Sequence, residues 1–307
     1  MIIHRNGRME ETALDNKKRK HGDRKDGVWI RDTDSMHTLL PHMLPNRADN
    51  EAVLNEVIDL TAVNEYIAKK NAAEPAFKYT FFHVICAALI KTLVLRPKLN
   101  RFYAGKRFYQ RNDYSISFIV KKEFADSIEE AVAIIKADPE SEVSPVEQIH
   151  SKVEEICTSV RKEHKTDGTT DIMDTLTKMP TPILSFVMNT LAWLDFHGWY
   201  PTSLMLEDPY FSSIFVSNLG SIKMNASYHH LTNWGTNSFF VIVGEKKPTA
   251  FFNLDGSYEV REALELGITL DERIADGYYY SRSIKLVHKL LDNPELLDRP
   301  IYEPVDF

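Results

Sequence analysis

Apolar positions along the chain alternate between a period of two and a helical period, and their order sketches a fold. MHTLLPHMLPNR (36–47), with two prolines, predicts an irregular or short helical entry. In AVLNEVIDLTAVNEYIAKKN (52–71), Val53, Val57 and Leu60 mark a strand, and Thr61 can cap a short helix through Tyr66 and Ile67. KYTFFHVICAALIKTLVLRPKLN (78–100) reads as a long, almost wholly apolar helix, stopped at Arg96 by Pro97. Two strand-like runs flank Asn112-Asp113. Residues 127–200 predict helices interrupted by the polar stretch KTDGTTD (165–171), expected to be a mobile loop. Strands return at 212–220, 237–247 and 266–271, and a last helix runs from Gly277 to about Leu291, before Asn293-Pro294. Strands and helices alternate without an internal repeat or a long linker. One α/β domain spanning 28–307 is expected.

Residues 1–27 change that picture at one end only. They are polar and charged, cannot bury enough apolar surface to order themselves, and are expected to form a disordered tail. The block Lys17-Lys18-Arg19-Lys20 fits a nucleic-acid or targeting patch, or a solvated tail. The formal net charge of −7 favours the tail and argues against nucleic-acid binding, which needs a basic face. Two cysteines, Cys86 and Cys157, are too few for a disulfide framework. No apolar signal core opens the chain, so a cytoplasmic location is expected. PILSFVMNTLAWLDFHGWYP (182–201) is too short to span a bilayer and is broken by Asp195 and His197. A buried or groove-lining helix is the expectation there. Trp193, Trp199 and Tyr200 near one end leave an interfacial helix as the alternative.

Two loops carry candidate chemistry. Ser217-Asn218-Leu219-Gly220 follows the apolar residues 214–216 and sets a hydroxyl and an amide at a strand end, where they can donate to an oxyanion. The same four residues also make an ordinary turn. Asp271-Glu272-Arg273-Ile274-Ala275-Asp276-Gly277 sits between an apolar strand and the last helix. Asp276 alone would be a helix cap. Three acids and an arginine in six residues are hard to explain as a solvated turn, and Asp276, packed at a strand end, would need a positive partner to remain charged.

Together these motifs resemble the catalytic domain of dihydrolipoamide acyltransferases, the cores of 2-oxo acid dehydrogenase complexes, and the related chloramphenicol acetyltransferases. Those families carry His-x-x-x-Asp-Gly after a strand, commonly as Asp-His-Arg-x-x-Asp-Gly. Asp271, Arg273, Asp276 and Gly277 match, as do VSNLG (216–220) and the closing YYYSRSIKLVHKLLDNPELL (278–297). The resemblance covers about 36–297, with 139–210 too divergent to align. It implies a two-layer α/β sandwich of chloramphenicol acetyltransferase type, a homotrimer with sites between subunits, coenzyme A or acyl-CoA as substrate, a small-molecule acyl acceptor and no metal. It further implies Ser217, with Asn218, as the oxyanion donor and an upstream arginine pairing with Asp276, for which Arg47 is the best match. No Asp-Lys-Ala-type lipoylation site and no Ala/Pro-rich linker precede residue 36, so a free-standing unit is expected.

The departure is Glu272, which stands where the family has its histidine. A histidine titrates near about 6.5 and a free glutamate near about 4.3, so Glu272 is a weak base for a thiol or alcohol unless burial raises it. Three readings stay open: a retuned base, a contact for a cationic acceptor, or a relic in an inactive site that binds coenzyme A, an acyl carrier or a protein. His229 and His230 are candidate substitute bases, on a segment expected to be a strand, although Trp234 stands where their motif would need an aspartate. His83, on the long apolar helix, is expected to be a core histidine.

Overall fold

The computed structural model describes residues 19–121, 130–163 and 176–307. In chain order the elements begin with β1 (Gly27–Trp29), α1 (Ser35–Met43), β2 (Glu51–Asp59), α2 (Thr61–Asn71) and α3 (Phe81–Leu95). Then come β3 (Arg101–Ala104), β4 (Arg107–Arg111), β5 (Tyr114–Lys121), β6 (Glu130–Ala137), α4 (Pro145–Glu163), α5 (Thr181–Phe196) and α6 (Thr202–Glu207). The chain closes with β7 (Ile214–Asn218), β8 (Phe239–Val243), β9 (Lys247–Phe252), β10 (Tyr258–Asp271) and α7 (Gly277–Asp292). The stretch 165–171, expected to be a loop, lies outside the described residues, as do Lys17 and Lys18.

One mixed sheet, ordered β2-β10-β8-β7-β5-β6, forms the scaffold, with β9 paired to β10. β5, β7 and β8 run parallel, and the other pairs are antiparallel. Helices α3, α4 and α7 cover one face. Val84, Ile85, Ile90 and Leu93 of α3 meet Ile116, Val216, Val241 and Leu266 from the sheet and Leu286 and Leu290 from α7. The intervening strand residues point the other way, as a pleat requires. Phe215, Phe240 and Ile242 form a second, smaller core with Leu231. Helix α3 is apolar all round because it is enclosed all round: every residue from His83 to Leu93 is buried. A small sheet, β1-β4-β3, stands beside the main one.

Four sequence expectations need correction. Residues 19–27 are not tail: Arg24 is 2% exposed, pairs with Asp26 at 2.8 Å and reaches Asp195 at 2.6 Å. Burial opposes the charge on Arg24, and the two aspartates more than restore it. Residues 130–137, expected to be helical, form β6, whose neighbour β5 supplies a full antiparallel register. The last strand does not begin at Leu266 but at Tyr258, and with β9 it forms a hairpin. Finally, α5 contains no buried residue and is not a core helix, although Ala192, Asp195 and Phe196 line a groove with Arg47 and Arg273, as the groove-lining alternative expected.

Candidate active site

The strand register places the two candidate loops. Ser217 stands beside Ile242, and Ile242 beside Gly267. From Gly267 the acidic loop begins four residues further along β10, after Asp271. Four residues of strand and two interstrand gaps separate them, a diagonal of about 16 Å. Within one chain, Ser217 and Glu272 therefore occupy opposite ends of the sheet.

At the serine end, β7 stops at Asn218 and a single 3-10 turn follows. Gly220 fits this turn closely, since a Cβ there would lie 2.4 Å from the Gly244 carbonyl oxygen. The Ser217 hydroxyl has no hydrogen-bond partner among the described residues, and the Asn218 side-chain oxygen is buried and unpaired. Both residues line a pocket of about 490 Å³ with Phe82, His83, Phe118 and Cys157. The Thr80 N–H donates to His83 Nδ1 at 2.9 Å, so the neutral ring carries its proton on Nε2. Burial lowers His83 to about 4, and His150 adds to the effect. His83 is thus buried, as expected, but it also borders the serine pocket.

At the other end, Asp271 is fully buried and organises the loop. Its Oδ1 accepts from Arg273 Nε at 2.8 Å and its Oδ2 from Arg273 Nη2 at 2.7 Å. Tyr280 donates its hydroxyl to the Asp271 carbonyl at 2.8 Å. Arg47, expected to hold Asp276, approaches Asp271 instead, with Nε 3.8 Å from Oδ2. The rest of its guanidinium donates to the carbonyls of Thr232, Gly235 and Tyr103, and burial lowers its pKa to about 10. Arg47 faces Asp271 because the 3-10 turn that begins with it ends at Asn50, next to the strand end that pairs Glu51 with Asp271. Asp276 is an exposed N-cap, accepting from the Tyr279 N–H at 2.8 Å. Gly277 opens α7, and a Cβ there would meet nothing within 4 Å, so nothing in one chain requires glycine.

Glu272 is exposed. Of the three tyrosines after it, Tyr278 is exposed, Tyr279 lies under Arg96 with 3.7 Å from guanidinium to ring centroid, and Tyr280 is buried. His229 and His230 lie on an irregular segment rather than a strand. His229 stacks on Phe240 at 4.1 Å and His230 is exposed. Sequence reasoning missed the Arg24–Asp195 pair, whose members are 171 residues apart, and the place of His83 beside the serine. Among the described residues no group of His, Cys, Asp and Glu could hold a metal ion.

No protein-family model matches the chain, and no curated protein matches it in sequence. Solved structures do match it. The cubic core of the pyruvate dehydrogenase multienzyme complex aligns with a TM-score of 0.56 at 14% identity, over 88% of this chain and 94% of that one. A probable dihydrolipoamide acetyltransferase from Listeria monocytogenes gives 0.55 at 17%, over 84% and 89%. Dihydrolipoamide acetyltransferase from Azotobacter vinelandii, studied for the role of a serine, a histidine and an asparagine in its mechanism, gives 0.55 at 15%, over 88% and 94%. The chain has the fold of a dihydrolipoamide acetyltransferase catalytic core, the two-layer α/β sandwich that its motifs imply.

Proposed function

We propose that the protein moves an acyl group from a coenzyme A thioester to a small nucleophilic acceptor, as a homotrimer whose sites lie between chains. The acceptor gives its proton to the Glu272 carboxylate as its heteroatom attacks the thioester carbonyl. The carbonyl oxygen takes the electron pair and accepts a hydrogen bond from the Ser217 hydroxyl. The intermediate collapses, the C–S bond breaks, and Glu272 returns the proton to the departing thiolate. Asp271, Arg47 and Arg273 hold the loop that carries the carboxylate.

The observation that carries this reading is the Ser217 hydroxyl, unpartnered among the described residues and lining a pocket of about 490 Å³. The separation of Ser217 from Glu272 supports a site shared between copies, in which a neighbour would cover the carboxylate. That same exposure favours a second reading, a non-catalytic relative that binds coenzyme A, an acyl carrier or a protein.

Release of coenzyme A from acetyl-CoA, measured from pH 6 to 9 with pooled thiol, amine and alcohol acceptors, separates the two. Turnover by the wild type is expected, with Ser217→Ala losing about 100-fold and Glu272→Gln inactive. A silent wild type with activity gained in Glu272→His would establish the second reading.

A further inference from the structure

Helix α5 has the sequence TPILSFVMNTLAWLDF and no buried residue. So apolar a helix ordinarily lies in a core. Here Ile183, Phe186, Trp193 and Phe196 are each between 49% and 72% exposed. Their spacing of three, seven and three aligns them on one stripe. Trp199, 61% exposed, extends it, and the rings of Trp193, His197 and Trp199 lie 4.3–5.5 Å apart.

The charges around this stripe are as selective as its apolar groups. The helix's single carboxylate, Asp195, is held by Arg24 at 2.6 Å. Exposed cations stand at both ends. Lys178 precedes the first turn. At the last turn the Phe196 carbonyl presses on Gly105, where a Cβ would lie 2.0 Å away, and this sets the exposed Lys106 and Arg107 beside the helix terminus.

We propose that α5 is a membrane-surface helix, lying flat on an anionic phospholipid bilayer. Its aromatic stripe enters the acyl boundary and its terminal cations meet the headgroups. Trp at the interface, an apolar stripe and flanking Lys/Arg are the physical requirements of such a helix. Its sixteen residues span about 24 Å, short of the roughly 30 Å hydrocarbon core, so it lies on the bilayer and does not cross it. No helix among the described residues is long and apolar enough to cross a membrane. The net charge of −7 does not oppose this contact, because attraction to lipid headgroups is set by charges within about 10 Å of the surface. The inference does not depend on acyl transfer.

The test floats the full chain with vesicles of phosphatidylcholine alone and of phosphatidylcholine mixed with phosphatidylglycerol. Wild type is expected to bind the mixed vesicles about tenfold better, with tryptophan emission quenched by brominated acyl chains. Phe186→Ser combined with Trp193→Ser removes only exposed side chains, so circular dichroism should be unchanged while binding falls by about 100-fold. Lys106→Glu with Lys178→Glu should abolish the preference for the anionic vesicles. Wild type that floats with neither vesicle overturns the proposal, as does flotation that survives the paired serine substitutions. So does light scattering that shows an oligomer broken by those substitutions without vesicle binding, which would make α5 a contact between copies.

Discussion

His83 shows how a polar side chain is accommodated on an otherwise apolar helix, and what that costs. Its Nδ1 takes the Thr80 N–H at the helix start, and burial lowers its pKa from 6.5 to about 4. Between those values the unfolded chain binds a proton that the folded chain refuses. Stability is therefore complete above about pH 6.5 and falls as the pH drops towards 4, by up to about 3 kcal/mol. Urea midpoints at pH 7 and pH 4.5 should show this loss in the wild type. His83→Gln keeps an acceptor for the Thr80 N–H and should flatten the difference. On the same helix, Lys91 is fully buried and donates to the carbonyls of Leu296 at 2.9 Å and Pro300 at 3.0 Å. Lys91→Met should cost about 2 kcal/mol and speed amide exchange in residues 296–301. Neither role was legible in the sequence beyond His83 being buried. Lys91 reads as an exposed charge until the C-terminal carbonyls are folded against it. Arg24 likewise read as tail, because nothing near it in sequence announces Asp195.

Elements were legible where burial shaped their pattern. β8 is buried at all five positions and was read directly, as was the end of β10. The first half of β10 pairs β9 beyond the reach of β8, and Phe252, Tyr258 and Val260 are more than 60% exposed. No core imposes an alternation there, and the hairpin went unread. In α5 the failure was opposite, since an apolar pattern was present without the burial it predicts. At the serine loop the SNLG motif carried more than turn preference. Gly220→Ala would drive a Cβ into the Gly244 carbonyl at 2.4 Å and push the end of β7 from β8. It should lower stability by about 2 kcal/mol, seen in thermal unfolding, and should reduce acyl transfer more than Asp276→Ala. The Asp276 cap substitution should cost about 1 kcal/mol.

At the scale of the whole molecule, the sequence supplied the loops and the fold supplied their separation. The positions of Ser217 and Asn218 follow from motifs, whereas the Asp271–Arg273 pair came from the fold, since the motif assigned an arginine to Asp276. That Ser217 and Glu272 lie at opposite sheet ends required the strand order β10-β8-β7, which no local pattern contains. Under the proposed function each site draws its serine and its carboxylate from different copies. The most direct measurement coexpresses Ser217→Ala chains with Glu272→Gln chains and follows coenzyme A release. In randomly mixed trimers about a quarter of the interfaces pair an intact serine with an intact glutamate, so the mixture should recover about a quarter of wild-type turnover, far above the roughly 1% left in Ser217→Ala alone and the inactive Glu272→Gln. A mixture no more active than its separate components would contradict the account.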